Sequence, residues 1–144
     1  MAHARQTVTV DRPIDEVFDF LADGFNEPRW RPGVSDVQLR SGDGRSVGSV
    51  WGQTMRGPGG WPITGDYRIT RVERPTRMEF EVIAGPARPT GSFVLSERGP
   101  STTEVEFVLD LAPTGAMRLM SGVIAKQVAR EAEAIRNLPA AMRG

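Results

Sequence analysis

The stretch that decides the fold is Gly91–Leu111, "GSFVLSERGPSTTEVEFVLDL". Apolar and polar residues alternate on both sides of a polar break, Glu97–Ser101, and a period of two is the period of a β-strand. Centring the turn on Pro100 sets Phe93 opposite Phe107 and Leu95 opposite Val105. Phe93, Leu95, Val105, Phe107, Leu109 and Leu111 then share one face. Glu104, Glu106 and Asp110 fall on the other. One buried face and one wet face is the signature of an antiparallel sheet.

The same parity extends towards the N-terminus. Taking Ala84–Pro89 as a turn pairs Phe80 with Phe93, so Phe80, Phe93 and Phe107 form a row across three strands. Met78 and Val82 join them, while Glu79 and Glu81 face solvent. Further back lies "QTMRGPGGWPITGD", Gln53–Asp66. A glycine-rich loop that cradles phosphate leads into a helix, usually with a lysine. Here the glycines lead into Trp-Pro and a strand, so the segment reads as a hairpin whose glycines supply unusual backbone angles. Trp61 at its tip is then a candidate gate over a pocket. The hairpin aligns Trp51 with Tyr67 and Met55 with Ile63, putting Trp51, Gln53, Met55, Tyr67 and Ile69 on one face. Val72, not Ile69, has the parity of the Met78–Phe80 face. A β-bulge near Thr70–Val72 reconciles the two.

The expected strands are Thr7–Val10, Val34–Arg40, Val47–Arg56, Ile63–Glu73, Met78–Ile83, Gly91–Ser96 and Thr103–Leu111. Between the first two, "DRPIDEVFDFLADG" starts a helix with Pro13, places Asp15 and Glu16 at its positive end and stops at Gly24. A short second helix is expected over Asn26–Arg31. The last segment, Ala116–Leu138, carries Met117, Met120, Ile124, Val128, Ala132 and Ile135 on one face. As one helix it would be ~35 Å long at ~1.5 Å per residue, ended by Pro139. The order is strand, two short helices, six strands and a long helix: an α+β chain with a seven-stranded antiparallel sheet. The only large apolar partner for the sheet is the C-terminal helix. With 144 residues the chain is read as one domain, residues 1–144.

Composition narrows the function classes. Eighteen basic residues balance 18 acidic ones, which argues against nucleic acid as a partner, since that needs a cationic surplus. No apolar run approaches the ~18 residues of a membrane span, so stable membrane insertion is not expected. The N-terminus lacks the apolar core of a signal peptide, and a cytoplasmic protein is expected. There is no cysteine and a single histidine, His3, expected in a frayed terminus. No Ser-His-Asp or Cys-His site can be built from that set. A metal site would need carboxylates alone, and the glutamates read better as a solvated strand face.

Three segments together resemble the START-like, Bet v 1-like superfamily (SRPBCC), within it the polyketide cyclase/dehydrase and lipid-transport group. They are "VTVDRPIDEVFDFLAD", "PRWRPGV" with Trp30 in the short helix, and "DYRITRVERPTRMEFEV" around Pro75, followed by the amphipathic C-terminal helix. The resemblance implies a helix-grip fold: a curved seven-stranded antiparallel sheet wrapped around a long C-terminal helix, with a cavity between them for an apolar ligand. It brings no cofactor and no metal. The partner it implies is a small hydrophobic molecule, lipid-like or polyketide-like, and a homodimer is compatible with it. An enzyme of the cyclase or dehydratase type is the alternative, and a protein-interaction module without ligand the second alternative.

The candidate ligand-binding residues are Trp30, Trp51, Gln53, Met55, Trp61, Tyr67, Phe80, Phe93, Phe107, Met120 and Ile124. Tyr67, the sole tyrosine, is the one catalytic candidate, as a general acid. The competing reading makes it a core or cavity-wall aromatic. Trp30 either plugs one end of the core, with Arg29 and Arg31 solvated, or sits at the cavity mouth with an arginine meeting a ligand carboxylate.

Overall fold

The computed structural model describes residues 2–85, 87–112, 119 and 121–143. The elements in chain order are β1 (Ala2–Val10), α1 (Ile14–Ala22), α2 (Glu27–Trp30), β2 (Val34–Ser41), β3 (Val50–Arg56), β4 (Pro62–Thr64) and β5 (Tyr67–Glu73). They continue with β6 (Arg77–Val82), β7 (Thr90–Gly99), β8 (Thr102–Leu111), α3 (Ser121–Glu133) and α4 (Leu138–Arg143). The strands form one antiparallel sheet in the order β1-β8-β7-β6-β5-β3-β2, with β4 paired to β3 off that path. This is the expected α+β architecture, a sheet closed over by C-terminal helix.

The alternation that predicted the sheet is visible in its burial. Val105, Phe107, Leu109 and Leu111 are buried on β8, while the residues between them are partly exposed. Phe93 pairs with Phe107 and Leu95 with Val105, as the hairpin centred on Pro100 requires. Trp51 pairs with Tyr67, Met55 with Ile63, and the register slips between Ile69 and Arg71. That slip is the β-bulge needed to put both Ile69 and Val72 on the inner face.

Phe80 is shifted from its expected partner: it lies opposite Gly91, and Met78 opposite Phe93. The reason is steric. A Cβ on Gly91 would come within 2.3 Å of the Phe80 ring, so the ring occupies the space that glycine leaves. The aromatic row survives diagonally, with centroids 5.9 Å apart for Phe80–Phe93 and 4.7 Å for the stacked pair Phe93–Phe107.

Other boundaries moved for identifiable reasons. The expected strand Ile63–Glu73 is cut into β4 and β5, because the Gln53 N–H donates to the Asp66 carboxylate while the Gly65 N–H takes the Gln53 carbonyl. Strand β3 starts at Val50 rather than Val47. The preceding loop folds around Asp43, which accepts from the N–H groups of Arg45 and Ser46 and from the Ser46 hydroxyl; those bonds hold its carboxyl down at about 2. His3 is not in a frayed end: it lies in β1 opposite Asp110, beside whose carboxylate its ring packs.

The C-terminal helix is not one rod ended by Pro139. It is α3, one tight turn over Ala134–Asn137, and α4. Pro139 is the second residue of α4, where a missing N–H costs nothing. The break buries Ile135 and Leu138 together and lets the Asn137 side chain donate to the Trp30 carbonyl. The segment is held further by Arg29 and Arg12, which donate to the carbonyls of Ala141 and Met142. Met117 and Met120, expected on the helix's apolar face, lie outside the described residues. No described helix is long and apolar enough to cross a membrane.

Two glycine substitutions should move stability in opposite directions. Gly91→Ala drives a methyl into Phe80 and should destabilise by about 1–3 kcal/mol. Gly122→Ala, on α3 with no atom near its would-be Cβ, should stabilise by about 0.5–1 kcal/mol. Urea melts of the two variants against the parent chain read both.

Candidate ligand cavity

Between the sheet and α3 lies a cavity of about 170 Å³. Its floor is Phe80 and Val82 of β6 with Phe107, Leu109 and Leu111 of β8. The roof is α3, through Ile124, Gln127, Val128 and Glu131. Ile124 lies three and four residues before Gln127 and Val128, and Glu131 four and three after them, so the four share one face of a helix. The β3–β4 hairpin closes one side with Met55, Ile63, Thr64 and Gly65. Most of the wall is apolar; the polar side chains gather where Arg31, Gln53 and Glu131 meet.

Arg31 organises that polar end. It leaves the C-terminus of α2 and turns inward, its side chain only 12% exposed. Its Nη1 donates to Glu27 Oε2 at 3.0 Å and to Gln53 Oε1 at 3.4 Å, and its Nη2 to Glu131 Oε2 at 3.2 Å. Its Nε is buried without a partner. Glu27, four residues back on the same turn, has a side chain 6% exposed. Gln127 donates to the other Glu131 oxygen at 3.3 Å.

Two carboxylates therefore share one guanidinium, Glu27 buried and Glu131 with its side chain 23% exposed. Burial pushes the Glu27 carboxyl above its ordinary value; Arg31 offsets this only in part, and Glu131 adds to the rise. Burial also works against the charge on Arg31, but Glu27 and Glu131 outweigh it and hold its pKa above the usual guanidinium value. Tyr67 is pushed well above a normal phenol by burial, reinforced by Glu27, and so carries its proton at neutral pH.

Of the residues singled out from sequence, Gln53, Met55, Phe80, Phe107 and Ile124 line this cavity. Trp30, Trp51, Tyr67 and Phe93 are buried in the surrounding core and are not part of its wall. Trp30 packs edge-on against Phe93 and Phe107, and Trp51 donates its ring N–H to the Gly44 carbonyl. Trp61 is 76% exposed; its hairpin reaches the cavity through Ile63 and Thr64 instead. Gly59 and Gly60 of that hairpin adopt left-handed backbone angles. Met120 lies outside the described residues.

Sequence reasoning left Arg31 as a solvated alternative and passed over Glu27 and Glu131. Two signals were present. Glu27 and Arg31 stand four residues apart on one turn, an ion-pair spacing. Glu131 falls three residues after Val128 and four before Ile135, within the apolar stripe of the last helix.

A curved antiparallel sheet gripping a C-terminal helix around an apolar cavity defines the helix-grip, START-like class. The chain belongs to the polyketide cyclase/dehydrase and lipid transport family, whose sequence profile matches residues 1–143. Solved structures share the fold at low sequence identity. An aromatase/cyclase, Zhui, from Streptomyces sp. R1128 has a TM-score of 0.77 at 18% identity, covering 98% of this chain and 93% of that one. A START superfamily protein from Mycobacterium smegmatis has a TM-score of 0.73 at 14% identity, covering 99% of both chains. A protein from Thermus thermophilus has a TM-score of 0.76 at 15% identity, covering 96% of this chain and 92% of that one. No curated protein sequence matches the chain.

Arg31→Met leaves Glu27 and Glu131 without their cation. It should cost about 3–5 kcal/mol at neutral pH, read from urea melts. An acid whose folded pKa is raised contributes stability that is lost as pH rises through that pKa. Removing Arg31 removes an interaction that lowers the pKa of Glu27. The cost should therefore shrink as pH falls towards the ordinary carboxylate range and Glu27 takes up its proton.

Proposed function

We propose that this chain binds a small, largely apolar molecule that carries one polar group, held between the sheet and α3. The observation that carries this reading is the asymmetry of the cavity: an aromatic and aliphatic floor, with Arg31, Gln53 and Glu131 gathered at one end. An apolar cavity of ~150 Å³ suffices for benzene, and pockets for drug-sized ligands run to ~300–1,000 Å³. A cavity of about 170 Å³ therefore suits one ring, or one ring-sized part of a longer lipid-like or polyketide-like molecule.

A cyclase or dehydratase is the second reading, favoured by the family's description. It asks for a group that gives or takes a proton at the ligand. Tyr67 is off the cavity wall with its proton held tightly, and Glu27 is occupied by Arg31. Both Glu131 oxygens already accept hydrogen bonds. Ligand binding without chemistry is the function this geometry supports best. A solid core would have favoured a module acting through its surface.

Native mass spectrometry of gently purified protein, followed by thermal-shift titration with single-ring and fused-ring aromatics, tests the reading. Binding should raise the melting temperature of the parent chain. Ile124→Trp, which extends a large ring from α3 into the cavity, should abolish that rise while the apo protein remains folded. Equal shifts in both proteins would place binding elsewhere.

A further inference from the structure

The polar end of the cavity is built to choose among ligand head groups. We propose that it selects a neutral hydroxyl on a ring, an alcohol or a phenol, over a carboxylate on the same ring; this rests on the binding reading above. Three observations carry it.

The first is the state of the guanidinium. Both terminal nitrogens of Arg31 are engaged, with Glu27, Gln53 and Glu131, and the remaining Nε is shielded. The end-on fork of Nη1 and Nη2 that would clamp a ligand carboxylate is already taken, and the side edge is led by the buried Nε, which presents almost no surface to a ligand. The second is charge. Among the described residues of the wall Arg31 is the only cation, and it stands between two carboxylates. A ligand carboxylate would be a third, and at contact distances like charges repel even where some water reaches them.

The third is the hydrogen-bonding capacity left over. Gln53 is 4% exposed, and its carbonyl end faces Arg31, which assigns the amide nitrogen to the opposite side. That nitrogen meets only Met55 Sδ, at 3.8 Å, and a thioether is a weak acceptor. A buried, poorly satisfied donor favours any ligand oxygen that fills it. A hydroxyl can accept from Gln53 without bringing a charge to the Glu27–Arg31–Glu131 cluster. A carboxylate can accept as well but adds a third negative charge, and ethyl or methyl in its place cannot accept at all.

The test compares para-ethylphenol, para-ethylbenzoate and ethylbenzene on the parent chain by isothermal titration calorimetry at neutral pH. The phenol should bind at least about tenfold more tightly than the benzoate, a tenfold ratio being ~1.4 kcal/mol, and more tightly than ethylbenzene. In Gln53→Leu the phenol's advantage over ethylbenzene should disappear. Benzoate binding as tightly as the phenol overturns the inference, as does phenol binding no better than ethylbenzene; in either case the cavity remains a binding site. Binding of none of the three overturns the binding reading and this inference with it. The comparison on the parent chain stands even if Gln53→Leu fails to fold.

Discussion

The buried guanidinium of Arg31 is the constraint on which the interior depends. It joins three elements distant in sequence: α2 through Glu27, β3 through Gln53 and α3 through Glu131. Burying such charges costs several kcal/mol per ion before any pairing, so the arrangement survives only if all three elements arrive together. Seen from the sheet, this cluster sets how α3 sits over β3 and leaves the remaining space as cavity. The apolar packing of Val128, Ala132 and Ile135 supplies adhesion without direction; the ion cluster supplies the direction.

Aromatic rings and glycines divide the rest of the interior between them. Trp51 lies against Gly24 and Gly44, where added Cβ atoms would come within 2.5 Å and 2.6 Å of its ring, and Phe80 lies against Gly91. In each case a large ring is seated on bare backbone. This lets the sheet curve and lets the α1–α2 connection approach β3 closely. The outer face is held differently, by exposed pairs such as Arg68–Glu81 and Arg98–Glu104, each worth little alone.

Most of the sheet was legible because strand parity is a local property. Phe93, Phe107, Leu95 and Val105 announce their face by spacing alone, and the conflict in parity between Ile69 and Val72 marks the bulge. The register of Phe80 was not legible, because it turns on a ring fitting over Gly91, a contact between strands. The division of the last helix was hidden too: Pro139 reads as an ending, yet the same residue stands in the first turn of α4 once Asn137 has found Trp30. For the cavity, the apolar members Phe80, Phe107 and Ile124 followed from the pattern. Of the polar wall Gln53 followed too, but Arg31 and Glu131, and Glu27 behind Arg31, did not. Charged residues default to solvent in a sequence, and only the meeting of distant elements takes them inside.

The attachment of α4 carries a consequence for how the chain can vary. Arg12, Arg29 and Asn137 grip main-chain oxygens, those of Met142, Ala141 and Trp30. Every amino acid offers the same carbonyl. These hydrogen bonds therefore do not specify the residues at 141 and 142, whose side chains answer only to apolar packing against the core, whereas the two arginines and the asparagine are specified. Sequence freedom and positional order are partly separated here: any apolar side chain that fits can stand at 141 and 142 while the main chain stays where the arginines hold it.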